Sequence, residues 1–210
     1  MKDIIPVKEF FVGIDSDGCV FNTMEVKQKE FFIPAGIKHF NLLPVSNIVR
    51  ETWEFVNLYS SSRGMNRFPA LIEVFGLLKT RDEARQSGVK IPDLTPLEQW
   101  IRGESRLGNQ SLRQFLEKNP DPVLESVLEW SEAVNNEIDH WLKGVSPFPN
   151  ARQCIRKIHE SADPVVVSQT PVQALEKEWK EHGIDGYVKL IAGQEYGTKK
   201  EHIEYAAKGK

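Results

Sequence analysis

The sequence predicts an α/β fold: a Rossmann-like parallel sheet whose chain is interrupted by a long helical insertion. Three observations predict it. Short continuous apolar runs, FFVGI (residues 10 to 14) and PVVVSQ (164 to 169), have the pattern of strands covered on both faces. Helix-start signals follow directly behind the later strands. Between the first strand and the second lies a stretch with helical periodicity and no β-branched runs.

The first run ends in Asp15 and Asp17 with Gly18 behind them. Two neighbouring carboxylates repel, so a fold that gathers them at a strand end must supply a cation, a proton or open water. From Thr23 to Ser146 the sequence reads as all helical, with about five amphipathic segments separated by Gly, Pro and Asn. These segments are SNIVRETWEFVNLY, RFPALIEVFGLL, PLEQWIRG, SLRQFLEK and a long one beginning PVLESVLEW, with Thr80 (TRDE) and Thr95 (TPLE) as capping-box starts. Phe21, Trp53, Trp100, Trp130 and Trp141 are expected to be core or inter-unit aromatics. Arg63, Asn66 and Arg67 cluster around a glycine in YSSSRGMNRFP, a place from which they could read a substrate or simply form a polar loop.

After PVVVSQ, the box TPVQ (Thr170 to Gln173) predicts a helix with Pro171 in its first position, where the missing N–H is harmless. A third strand is expected in YVKLIAG (187 to 193), and TKKE (Thr198 to Glu201) opens a last helix. The expected division is therefore a discontinuous α/β core of residues 1–22 and 147–210, and a helical domain of residues 23–146. Ser168 and the Lys199/Lys200 pair fall at the carboxyl ends of strands or in the loops beyond, the edge at which open α/β sheets bind ligands.

Composition adds bounds. The 210 residues are 40% hydrophobic, enough for a real core, and 27 basic against 30 acidic residues give a net charge of −3 with no basic footprint for nucleic acid. Cys19 and Cys154 have no metal-ligand spacing, and Cys19 is read as a small buried residue. No run reaches the length of a membrane span or a signal core, so a cytoplasmic protein without a membrane partner is expected. The five histidines are scattered and none is given a catalytic role; His202 is read as a helix-surface residue.

The motifs DSDGCVF, VVVSQTP and YGTKKEHI, in that order, resemble the three leading motifs of haloacid dehalogenase (HAD)-like hydrolases, and VSPFPNARQCIRKI resembles the helix entry that follows their cap domain. The insertion is similar in position and helical character to their type 1 cap. The resemblance implies that Asp15 is a nucleophile attacking phosphorus, and that Asp17 is general acid and then general base. In an extended chain the i, i+2 spacing puts both on one side. It further implies Mg²⁺ at Asp15 and at Asp17, the latter through its backbone carbonyl, which offsets the repulsion of the opening motif. Gly18 would let the chain turn and its amides approach the phosphoryl group, with Gln169 beside it. Ser168 would donate its hydroxyl to a phosphate oxygen, and Lys199, rather than Lys200, would neutralise developing charge.

The resemblance also implies, because the family's dehalogenase members carry another residue at this place, that Asp17 favours a phosphatase or phosphomutase over carbon–halogen cleavage. The implied substrate is a small phosphorylated metabolite. The family's fourth, acidic motif and its strand have no counterpart before Lys210, so C-terminal strands of the core are expected to be missing. That leaves FFVGI along a sheet edge, an expected aggregation site. A truncated enzyme is favoured over a shortened, non-catalytic binding module.

Overall fold

The computed structural model describes residues 6–208. They divide into two compact units: residues up to Met24 together with those from Gly144 onward, and the intervening Glu25–Lys143.

The first unit is α/β. Strand β1 (Phe10–Ile14) pairs in parallel with β2 (Ala162–Val167), which pairs in parallel with β3 (Leu190–Ala192), giving the order β1-β2-β3. The register sets Ile14 beside Val166 and Val167 beside Ala192, so the carboxyl ends of all three strands meet at one edge. Each residue of β2 is buried, which is why its sequence is a continuous apolar run after Asp163. Asp163 is tolerated there because its Oδ2 accepts the amides of Val7 and Lys8 at 2.9 and 3.0 Å, fixing where the chain enters β1.

Helices of the insertion are numbered in chain order with those of the core: α1 (Thr23–Val26), α2 (Ile33–His39), α3 (Ser46–Glu54), α4 (Arg67–Thr80), α5 (Asp82–Gln86), α6 (Thr95–Gly103), α7 (Asn109–Leu116) and α8 (Pro122–Trp141). The core adds α9 (Ala151–Ser161), α10 (Val172–Glu181) and α11 (Lys199–Ala206). One apolar cluster of the core gathers Ile14, Phe21, Val166, Ile155 of α9, and Leu175 and Trp179 of α10. A smaller one joins Val165 and Val167 to Ala206 of α11.

The second unit has a single aromatic-centred core. Trp130 takes Phe32, Phe40 and Trp53 at centroid distances of 5.9, 6.1 and 5.8 Å. Trp53 lies so close to α2 that a Cβ on Gly36 would stand 2.5 Å from its ring, so glycine is needed there for the approach of α2 and α3. No helix of the described residues is long and apolar enough to cross a membrane.

Several expectations are corrected. Thr80 and Thr95 cap no helix: their hydroxyls donate to Leu77 O and Asp93 Oδ1, and α5 and α6 start without side-chain caps. Within the stretch read as helical from Thr23, helices precede the first of the five named segments, as α1, a π-helical stretch Lys27–Phe32 and α2. Trp141 is 71% exposed, because it is the last residue of α8 and extends past the packed face. Cys19 is exposed rather than buried, since the tight turn gives the inward positions to Val20 and Phe21. His202, read as a surface residue, is buried, because α11 turns that face onto the chain around Gly193 and Gly197.

Candidate active site

Ser16 organises the turn after β1. Its carbonyl accepts the amides of Val20 and Phe21 at 2.9 and 3.1 Å, and its fully buried hydroxyl accepts the indole N–H of Trp179 at 3.0 Å. The loop is thereby pinned to α10. Gly18 has a φ of 74°, a left-handed conformation that glycine adopts without a Cβ penalty. Its amide donates to Phe21 O at 2.7 Å, so that donor closes the turn and is not the one presented to a ligand.

This turn sets Asp15 and Asp17 at the strand edge with different partners. Asp15 Oδ1 accepts the amide of Ser16 at 3.0 Å, and Oδ2 accepts Lys199 Nζ at 2.8 Å. Lys199 is the first residue of α11, held there by a complete capping box: Glu201 N donates to Thr198 Oγ1 at 3.2 Å and Thr198 N to Glu201 Oε2 at 2.6 Å. Lys200 points elsewhere, 3.7 Å from Glu204, with 84% of its side chain exposed. Both members of the Asp15–Lys199 pair are about two-fifths exposed, so the pair adds at most about 1 kcal/mol of stability, and its value lies in orienting the carboxylate.

Asp17 is held by two hydroxyls. Thr170 Oγ1 donates to its Oδ2 at 2.6 Å, and Thr23 Oγ1 donates to Oδ1. Thr170 is therefore not the cap it resembles: α10 begins at Val172 with Pro171 at its N-cap and no side-chain cap. Thr170 and Thr23 are the site residues that the sequence did not disclose. The signal available for Thr170 was its place two residues beyond Ser168.

Ser168 is buried at the end of β2, its amide donating to Ala192 O at 3.0 Å and its Oγ accepting Thr170 N at 3.1 Å. Oγ keeps its own proton for another acceptor. Gln169 is exposed, and its amide donates to Gly197 O at 3.0 Å and Ser168 O at 3.3 Å, tying the loop after β2 to the one before α11. Asp15, Asp17, Ser168, Thr170 and Lys199 thus share one edge of the sheet. Arg63 and Arg67 belong to the helical unit, where Arg63 Nη1 donates to Leu58 O at 3.3 Å and Arg67 Nη1 to Ser131.

Among the described residues no three His, Cys, Asp or Glu side chains converge as a metal cage. The oxygen-only donor set at Asp15, with a half-exposed carboxylate, nonetheless fits Mg²⁺, which keeps several waters and needs only one or two carboxylates.

No family profile matches this chain, and no curated protein does. Among solved structures, one described as a HAD-hydrolase, YfnB from Bacillus subtilis bound to magnesium, superposes with a TM-score of 0.40 at 13% identity, over 96% of this chain and 72% of that one.

Proposed function

We propose that this chain carries the site of a Mg²⁺-dependent phosphomonoester hydrolase acting on a small phosphorylated metabolite. The observation that carries the reading is the pairing of Asp15 with Lys199 next to an Asp17 carboxylate fixed by two threonine hydroxyls. A nucleophile needs a carboxylate held in a fixed direction, and a general acid needs a defined position beside the leaving group.

In this reading a lone pair of the Asp15 carboxylate attacks phosphorus as the P–O bond to the leaving group breaks. Asp17, protonated, transfers its proton to the departing oxygen. The carboxylate of Asp17 then takes a proton from water, which attacks phosphorus and releases phosphate and Asp15. Lys199 offsets charge on the transferring group, and the Ser168 hydroxyl donates to a non-bridging oxygen. Asp15 and the backbone carbonyl of Asp17 would hold Mg²⁺, which when bound supplies charge neutralisation to the phosphoryl oxygens. A phosphomutase shares the first half of this sequence and differs in sending the phosphoryl group to a second substrate hydroxyl.

The test is phosphate release from an aryl phosphate with Mg²⁺ present. Asp15→Asn should reduce the rate by on the order of 10³-fold or more. Lys199→Ala should cost on the order of 10²-fold, and Lys200→Ala nothing measurable. An Asp15→Asn variant as active as the parent chain would end this reading.

A further inference from the structure

Ser16 stands between the two acids and faces the other way. In an extended chain alternate side chains point to opposite sides, so Asp15 and Asp17 turn to the rim while Ser16 turns with Ile14 toward the apolar cluster that contains Trp179. Ile14 and Ser16 are both buried, Ser16 completely. A fully buried position of this size suits alanine, yet it carries a hydroxyl. That hydroxyl accepts the indole N–H of the equally buried Trp179 at 3.0 Å, across 163 residues of chain.

The rest of Ser16 is committed to the acids. Its amide donates to Asp15 Oδ1 at 3.0 Å, and its carbonyl accepts the amides of Val20 and Phe21 at 2.9 and 3.1 Å, closing the turn on which Asp17 sits. Those bonds lie within residues 15 to 21, so they shape the turn without fixing where it stands against α10. The indole supplies that link, and the loop preceding α10 supplies another, the Thr170 hydroxyl that donates to Asp17 Oδ2 at 2.6 Å. This segment therefore holds the turn at two points, Thr170 at the acid itself and Trp179 from behind. A buried indole N–H needs some acceptor, and any backbone carbonyl would meet that need. Placed on the residue between the acids, the bond also sets their direction.

We propose that Trp179 is a positioning residue: its indole N–H, acting through Ser16, sets the direction of the Asp15 carboxylate and of the turn that carries Asp17. The consequence for rate rests on the hydrolase reading of Asp15, and the positioning itself does not.

Trp179→Phe removes the N–H and keeps a ring against Phe21, which Trp179 meets edge-on at 6.1 Å. With an aryl phosphate and Mg²⁺ it should lower kcat by about threefold to tenfold and leave KM unchanged. Ser16→Ala should cost as much, and the double variant no more than either, because all three delete one bond. Ile155→Ala loosens the same cluster without touching the bond and should leave kcat as it is. A second readout needs no turnover: in Trp179→Phe and in Ser16→Ala, hydrogen exchange at the residue 16 amide should quicken by about tenfold relative to the amides of β2, which report the stability of the whole unit. That quickening in a chain that releases no phosphate would refute the hydrolase reading and support the positioning. Exchange at residue 16 that only follows β2, a Trp179→Phe enzyme with the parent kcat, or additive losses in the double variant would overturn the positioning and leave the reading of Asp15 intact.

Discussion

The two units treat their polar groups in opposite ways. At the rim of the α/β unit, Asp15 meets Lys199, Asp17 meets two hydroxyls, and Ser16 meets the indole of Trp179. The helical unit concentrates its large side chains around Trp130 and sets Arg67 against the neutral groups of Ser131 and the Phe32 ring. The α/β unit splits its apolar residues into two smaller clusters on either side of a three-stranded sheet. Stability in one unit therefore rests on one continuous core, and order in the other rests on hydrogen bonds that also shape a site.

The largest expected effect lies in the aromatic core. Trp130→Ala should cost about 3–5 kcal/mol, and hydrogen exchange should rise in peptides of Glu25–Lys143 well before those of the sheet. Equal loss of protection in both units would break the comparison. Gly36→Ala sharpens it: a methyl 2.5 Å from Trp53 has no room, and denaturant titration should show a loss of about 1–3 kcal/mol. An unchanged midpoint would mean that α2 and α3 separate freely.

In the α/β unit the effects on stability are smaller. Thr170→Val keeps the shape but removes the hydroxyl that holds Asp17, so stability should fall by about 1 kcal/mol. Phosphate release should suffer more, by about tenfold, in kcat rather than KM. An effect on KM alone would contradict an Asp17 positioned by Thr170.

The smallest effect concerns His202, at the back of the loops that carry Lys199. Burial lowers its pKa below 6.5, against smaller opposing influences from the backbone near Gly193 and Gly197 and from Glu201, while Lys199 lowers it further. As pH falls through 6.5 the unfolded chain takes up a proton that the folded chain refuses, so this group's contribution to stability is full above that pH and declines below it. His202→Gln should flatten the fall in Tm between pH 7 and 5. An identical slope would show that other groups set it.

How much of this was legible in the sequence varies with range. VVV in β2 was plain because a central parallel strand needs apolar residues on both faces. The start of α11 was equally plain, since a capping box is satisfied within four residues. Thr170 carried the same local signature and was misread, because its partner Asp17 lies 153 residues away and only the parallel pairing of β1 with β2 brings the two loops together. The stretch from Thr23 to His39 was read as helical, but no separate segment was delimited there, for a local reason. KQKE breaks the apolar period and Pro34 and Gly36 look like breakers, yet the chain passes through a π-helical stretch, places Pro34 in the first turn of α2 and uses Gly36 against Trp53. Burial of His202 was beyond reach of periodicity, since α11 has only a short, mixed face.

The most direct test of the central claim is chemical trapping during turnover. Borohydride reduces an acyl phosphate, so rapid quenching of the Mg²⁺-supplemented protein with an aryl phosphate, followed by borohydride and peptide mass analysis, should convert Asp15 to homoserine. An unmodified residue 15 while phosphate is being released, or phosphate found instead on Ser168, would contradict the account.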